Sequence, residues 1–167
     1  VCVMLRDWLD DGIEPYPISV NLSRVNIYNP RLVELICGLT AKYGIPNHLL
    51  QLELTESAYT DNQIAIQETL DQLHDRGFTV LMDDFGSGYS SLHMLKEVPV
   101  DRIKLDLHFL TAAGDSEKCR TIVSCMINMV HLLGMEMIAE GVETIEQARF
   151  LDDQGCSMMQ GYYFYKP

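Results

Sequence analysis

The sequence predicts an α/β fold on a parallel sheet, of the (β/α)8 barrel kind and carrying about six βα units. Three observations point there. Short apolar strands alternate with amphipathic helices along the whole chain. No low-complexity tract, Pro/Gly-rich linker or composition shift marks a boundary, so residues 1–167 read as a single domain. Polar residues also fall at the ends of successive strands. A barrel gathers such residues on one rim, whereas an open doubly wound sheet would concentrate them at one switch point.

Each element has its own signal. Val1 to Leu9 reads as an amphipathic helix with Val1, Met4, Leu5, Trp8 and Leu9 on one side, and a chain that opens inside a helix without an initial Met reads as a cut fragment. Ile18 to Leu22 is the first strand. The next helix starts at Asn29-Pro30, where proline suits the first turn, and stops near Gly44. Leu50 to Leu54 is the second strand. From an N-cap at about Asp61, a helix passes Ile64, Leu70 and Leu73 to Gly77, a residue suited to the left-handed terminal position. The third strand, Thr79 to Met82, leads into Asp83-Asp84. A short helix over Leu92 to Lys96 ends before Pro99, and Arg102 to Asp106 is the fourth strand. The long helix from about Asp115 to Leu133 presents Ile122, Met126, Ile127, Val130 and Leu133, and Gly134 closes it. Met135 to Ala139, a helix from Thr144 to Asp153 with Gly155 behind it, and a strand from Ser157 to Phe164 complete the series.

Composition narrows the function. With 47% hydrophobic and 22% charged residues, the chain has the makeup of a soluble globular domain. Its 24 Asp and Glu against 12 Lys and Arg give a formal charge of −12, which argues against a DNA or RNA surface, since that needs a basic stripe. A phosphorylated substrate would need cations to offset that field. Five scattered cysteines without CxxC spacing suit reduced thiols of a cytoplasmic compartment. No run approaches the ~18 to 20 uncharged apolar residues of a membrane span. The histidines show neither HxH nor HExxH spacing, so none is assigned to a metal.

The chemistry concentrates in Asp83-Asp84-Phe85-Gly86-Ser87-Gly88-Tyr89-Ser90-Ser91. Side chains alternate along a strand, so adjacent carboxylates serve one site only where the backbone turns, which Gly86 and Gly88 permit. Mg²⁺ or Mn²⁺ prefers such oxygen ligands; a solvated turn with an N-cap is the plainer alternative. Asn21, Glu53, Asp83 with Asp84, Lys104, Glu140 and Gln160 lie at or near successive strand ends. Taken singly, Asn21 could cap a turn, Glu53 and Glu140 could be solvated, Lys104 could pair with Asp106, and Gln160 could satisfy a backbone group. Together they form a candidate rim.

These residues resemble the EAL domain, the phosphodiesterase that linearises the bacterial second messenger cyclic di-GMP. The likeness covers the whole chain: Val20-Asn21-Leu22-Ser23, Glu53-Leu54-Thr55-Glu56-Ser57, Asp83 to Leu92, Lys104-Leu105-Asp106, Ala139-Glu140-Gly141-Val142-Glu143-Thr144 and Gln160-Gly161-Tyr162. It implies two-metal hydrolysis to linear pGpG with Mg²⁺ or Mn²⁺. Asn21, Glu53 and Asp83 would bind one ion, and Asp83 with Asp84 would help hold the second. Lys104 would hydrogen-bond the attacking water, and Glu140 would act near the second metal or orient a water as base. Gln160 and Asp106 would position water or substrate. Glu56 would anchor the Gly-Ser loop, and Glu143 would be a supporting carboxylate. The resemblance further implies a homodimer and a parent protein with an N-terminal sensor or cyclase-like domain, in some relatives membrane-anchored.

There are departures from the family pattern. No Glu-Ala-Leu triplet occurs in the sequence, and 167 residues are roughly 80 short of a barrel's usual ~250. The chain is therefore expected to be a single partial domain whose exposed strand edges favour poor solubility or swapping. Leu107-His108 and Tyr165 also differ from the usual residues. An alternative is an inactive EAL domain that serves as a cyclic di-GMP receptor or protein-interaction module, and an unrelated Mg²⁺-dependent enolase-like barrel is a weaker one.

Overall fold

The computed structural model describes residues 1–60, 63–86, 92–107 and 117–166. The expected N-cap at Asp61, the loop over 87–91, His108 and the helix start at Asp115 lie outside the described residues. The six strands follow chain order in the sheet, β1-β2-β3-β4-β5-β6, as a succession of βα units requires. The chain divides into two compact units, Val1–Leu81 with Lys96–Val100 and Met82–Leu95 with Asp101–Pro167.

The first unit holds α1 (Cys2–Asp10), β1 (Ile18–Asn21), α2 (Arg24–Ile27), α3 (Leu32–Tyr43), a 3-10 turn (Asn47–Leu49), β2 (Leu50–Thr55), α4 (Glu56–Thr60), α5 (Gln63–Asp75) and the opening of β3 (Thr79–Phe85). β1 and β2 run parallel, with Ile18 opposite Leu50 and Asn21 opposite Glu53. Leu5 of α1 is fully buried against Ile45 and Leu49, with Cys2, Trp8 and Leu9 packed around them. Val1 and Met4 remain exposed, contrary to the expected face, because the buried stripe runs through positions 2, 5, 8 and 9. α3 ends where Gly44 takes φ 60°, as expected.

Two short helices escape the periodicity reading. α2 is set by a capping box in which the Ser23 hydroxyl accepts from the Asn26 amide and the Asn26 side chain accepts from the Ser23 amide. α4 follows β2 directly and buries Ala58 and Tyr59. The Tyr59 ring is fully buried, and its hydroxyl finds no hydrogen-bond partner among the described residues. Burial first, then the negative charges of Glu97 and Asp71, push its pKa above 10.0. A buried orphan hydroxyl is costly, so Tyr59→Phe is expected to stabilise the chain by about 1 kcal/mol. Because the folded pKa is raised, the stability tied to the protonated phenol is complete below pH 10.0 and is lost as pH rises through the folded value. Denaturant unfolding at neutral and strongly alkaline pH should show that loss in the parent chain and less of it in Tyr59→Phe.

The second unit holds the remainder of β3, most of α6 (Leu92–Glu97), β4 (Arg102–Asp106), α7 (Glu117–Leu132), β5 (Glu136–Glu140), α8 (Ile145–Asp153) and β6 (Met158–Met159). β4, β5 and β6 are parallel, with Lys104 opposite Ile138 and Asp106 opposite Glu140. Arg102 pairs with Glu136 at 2.6 Å where β4 and β5 begin. α7 buries Val123, Ile127 and Val130, while Ile122 and Leu133, expected on the core face, are about half exposed. Spacings of four and three keep the buried trio on one stripe, and positions 122 and 133 fall to its side.

β6 is far shorter than the expected Ser157 to Phe164. After Met159 the chain turns across the segment that follows β5: Gln160 N donates to Ala139 O at 2.9 Å, Val142 N to Gln160 O at 3.1 Å, and Tyr163 N to Val142 O at 3.0 Å. No disulfide joins any of the five cysteines. Cys156 is buried, its thiol donates to Met137 O and Met158 O, and burial pushes its pKa up, which makes it a packing residue. Among the described residues, no helix is long and apolar enough to cross a membrane.

Candidate active site

Within the second unit, β3, β4, β5 and the segment after β6 bring Asp83, Asp84, Lys104, Glu140 and Gln160 together. β3 continues to Phe85 and Gly86 takes the positive φ expected of it, 89°, while within the strand Asp84 takes φ 56°, the one non-glycine residue with positive φ among those described. Asp and Asn tolerate that region better than other side chains because their short polar groups bond locally, and here the Asp84 amide donates to Asp83 Oδ1 at 3.1 Å. The left-handed residue breaks the alternation of the strand. Two consecutive carboxylates can thereby serve one place.

Lys104 lies in mid-strand on β4 and is only 6% exposed. Its Nζ sits 2.9 Å from Asp83 Oδ1 and 2.8 Å from Glu140 Oε1. The partner considered from sequence, Asp106, is not the one these distances show. A buried ammonium is tolerated only when paired, and the two carboxylates supply the pairing. Glu140 ends β5 and also accepts from Gln160 Nε2. Gln160 is carried to Glu140 by the backbone bonds that fold the chain over Val142. Gly161 makes that fold possible: a Cβ there would collide with the backbone O and N of Val142 and lie 2.8 Å from its carbonyl carbon. Asp106, half-buried, ends β4 opposite Glu140. Glu143 is exposed, and its amide donates to Gln147 Oε1 at 2.7 Å beside the capping box of α8. Beside Gln160 a cavity of about 280 Å³ is lined by Gly141, Glu143, Gln160, Gly161, Tyr162 and Tyr165. Tyr165, noted as a departure, is therefore one of its walls.

Asp83, Asp84 and Glu140 each offer a carboxylate oxygen, and these atoms lie within 4.8 Å of one another. Hard oxygen donors at that spacing fit Mg²⁺ or Mn²⁺.

In the first unit, the parallel register sets Ser19, Asn21, Gln51 and Glu53 on one face of β1 and β2, and Ile18, Val20, Leu50 and Leu52 on the other. Glu53 is 6% exposed and accepts from the Ser19 hydroxyl; Asn21, at the strand end, is exposed. Glu56 is buried at the start of α4, where Arg24 donates to Ser57 O at 3.0 Å and Thr55 and Ser57 hydroxyls meet at 3.3 Å. The loop that Glu56 was expected to anchor lies outside the described residues. The sequence reading missed Ser19 and the role of Gly161. The signals were a polar residue two before Asn21 and a glycine directly after Gln160.

Fold and donor set together define a parallel α/β protein with three convergent carboxylates, a candidate metal site, near the C-terminal ends of β3 and β5. The chain belongs to the EAL domain family, whose model matches residues 1–167. It is 35% identical over 167 residues to the bifunctional diguanylate cyclase/cyclic di-GMP phosphodiesterase MucR of Pseudomonas aeruginosa, covering 99% of this chain and 24% of that protein. The chain thus spans about a quarter of that relative's length. The crystal structure of the EAL domain of Mycobacterium smegmatis DcpA matches with TM-score 0.90 at 34% identity, over 99% of this chain and 75% of that one. A manganese and cyclic di-GMP complex of Klebsiella pneumoniae BlrP1 matches with TM-score 0.88 at 26% identity, over 99% of this chain and 43% of that one.

Proposed function

We propose that this chain carries catalytic residues of a metal-dependent phosphodiesterase that hydrolyses cyclic di-GMP to linear pGpG. The observation that carries the reading is the buried Lys104 ammonium held between Asp83 and Glu140, two of three convergent carboxylates, the third being Asp84. A divalent cation bound there would neutralise phosphate oxygens and lower the pKa of a water. Asp83 and Asp84 hold and orient that charge. Lys104 donates hydrogen bonds toward the attacking oxygen, which favours its deprotonated form. Glu140 accepts a proton or orients the water, and Gln160, bonded to Glu140, fixes that carboxylate's direction. Asp106 is assigned to positioning, and Glu56 and Glu143 to supporting the loops that bear the ligands. Family resemblance assigns Asn21 and Glu53 as further ligands of a two-metal set that takes Mg²⁺ or Mn²⁺. The chain is read as a single partial domain of a longer cytoplasmic signalling protein that dimerises and carries a sensor or cyclase-like domain.

The second reading is a receptor that binds cyclic di-GMP without cleaving it. Incubation of the full-length protein with cyclic di-GMP and Mn²⁺, with nucleotides resolved by chromatography, separates the two. The enzyme reading expects pGpG from the parent and none from Asp83→Asn. Bound but uncleaved nucleotide in both would establish the receptor.

A further inference from the structure

Lys104 engages two of the three carboxylates that converge on the candidate metal site. Its Nζ lies 2.9 Å from Asp83 Oδ1 and 2.8 Å from Glu140 Oε1, and Asp83, Asp84 and Glu140 are the residues whose carboxylate oxygens gather within 4.8 Å. The ammonium therefore already supplies positive charge where a divalent ion would. The side chains of Lys104, Asp83 and Glu140 are only 7%, 14% and 15% exposed, so water and dissolved salt screen them far less than a surface pair. A unit positive charge a few ångströms away in such surroundings repels a dication strongly. Lys104 also stands in mid-strand on β4, beside the strand that ends in Glu140, and a buried ammonium gives up its partners only at a large cost.

We propose that Lys104 is a built-in counter-cation that sets how readily this site loads a divalent ion; this rests on the metal-dependent reading above. It balances the acidic cluster on its own, and it weakens Mg²⁺ or Mn²⁺ there, because the incoming ion must share Asp83 and Glu140 with a positive charge that stays beside them. The direction of the effect is what separates this role from a supporting one. Loss of a residue that merely held the carboxylates in place would weaken the ion, whereas loss of the Lys104 charge tightens it.

The test is Mn²⁺ binding to the full-length protein with no nucleotide present, followed by calorimetry and by the paramagnetic resonance signal of free Mn²⁺. Lys104→Met, which keeps an unbranched side chain and removes the charge, is expected to bind Mn²⁺ at least about tenfold more tightly than the parent. Lys104→Gln should do the same, which keeps the outcome readable if one of the two folds poorly. Adding Asp84→Asn to Lys104→Met should cancel most of the gain, which assigns the tighter ion to this cluster. Parent protein that binds Mn²⁺ and neutral variants that bind it no more tightly, or a gain that survives Asp84→Asn, would overturn the role of Lys104 and leave the metal-dependent reading intact. No Mn²⁺ binding by either the parent or the neutral variants would overturn both.

Discussion

Lys104→Ala in the full-length protein is expected to lower kcat for cyclic di-GMP by about a thousandfold while KM changes little, since a preorganised donor acts on charge that develops in the transition state. The structure also specifies a second readout. Lys104 is the cation between the Asp83 and Glu140 carboxylates, whose side chains are 14% and 15% exposed. Without a divalent ion, its removal takes away the cation that both carboxylates pair with, a change that costs about 3 kcal/mol. Added Mn²⁺ should restore much of that stability, because the ion supplies the missing positive charge. Lys104→Arg should not rescue turnover, because a planar guanidinium cannot take the place of a compact ammonium. Steady-state kinetics and denaturant unfolding with and without Mn²⁺ check both parts. A kcat within tenfold of the parent would make Lys104 a structural cation only.

Gly161→Ala is expected to be severely destabilising. The added Cβ meets Val142 backbone atoms rather than a side chain that could swing away. The hydrogen bonds from Gln160, Val142 and Tyr163 that fold the chain over β5 cannot all survive the shift. A stability loss of about 3 kcal/mol or more follows, with turnover falling at least about a hundredfold as Gln160 leaves Glu140. Gln160→Ala separates the two consequences: it should lose activity to a similar degree and keep its melting temperature. If Gly161→Ala melted and turned over like the parent, the close approach would not be what holds Gln160 in place.

How far the sequence could be read follows from where each signal lies. Asp83, Lys104, Glu140 and Gln160 were legible because each departs from an apolar strand pattern near its end, and that is where parallel α/β proteins collect function. Their actual pairing was not. Lys104 and Asp106 share a face of β4, so spacing alone allowed a local pair, and it took the packing of β3 and β5 beside β4 to select Asp83 and Glu140. Ser19 was invisible for a similar reason, since its bond to Glu53 is diagonal across a register that no single strand encodes. Gly86 turns where a glycine was expected to, but the left-handed Asp84 before it was not legible, because an aspartate in that region is uncommon. α2 and α4, four and five residues long, are too short to show a helical period. β6 was overextended because Tyr162 to Tyr165 have strand propensity, yet Gly161 turns the chain and leaves those rings exposed.

Anomalous scattering from crystals of the full-length protein grown with Mn²⁺ would show directly whether the three carboxylates hold a cation. A peak is expected within about 2.1 Å of carboxylate oxygens of Asp83 and Asp84, on the side that Glu140 and Lys104 face. Mn²⁺ bound only elsewhere, with Asp83 and Glu140 still paired with Lys104, would contradict that placement.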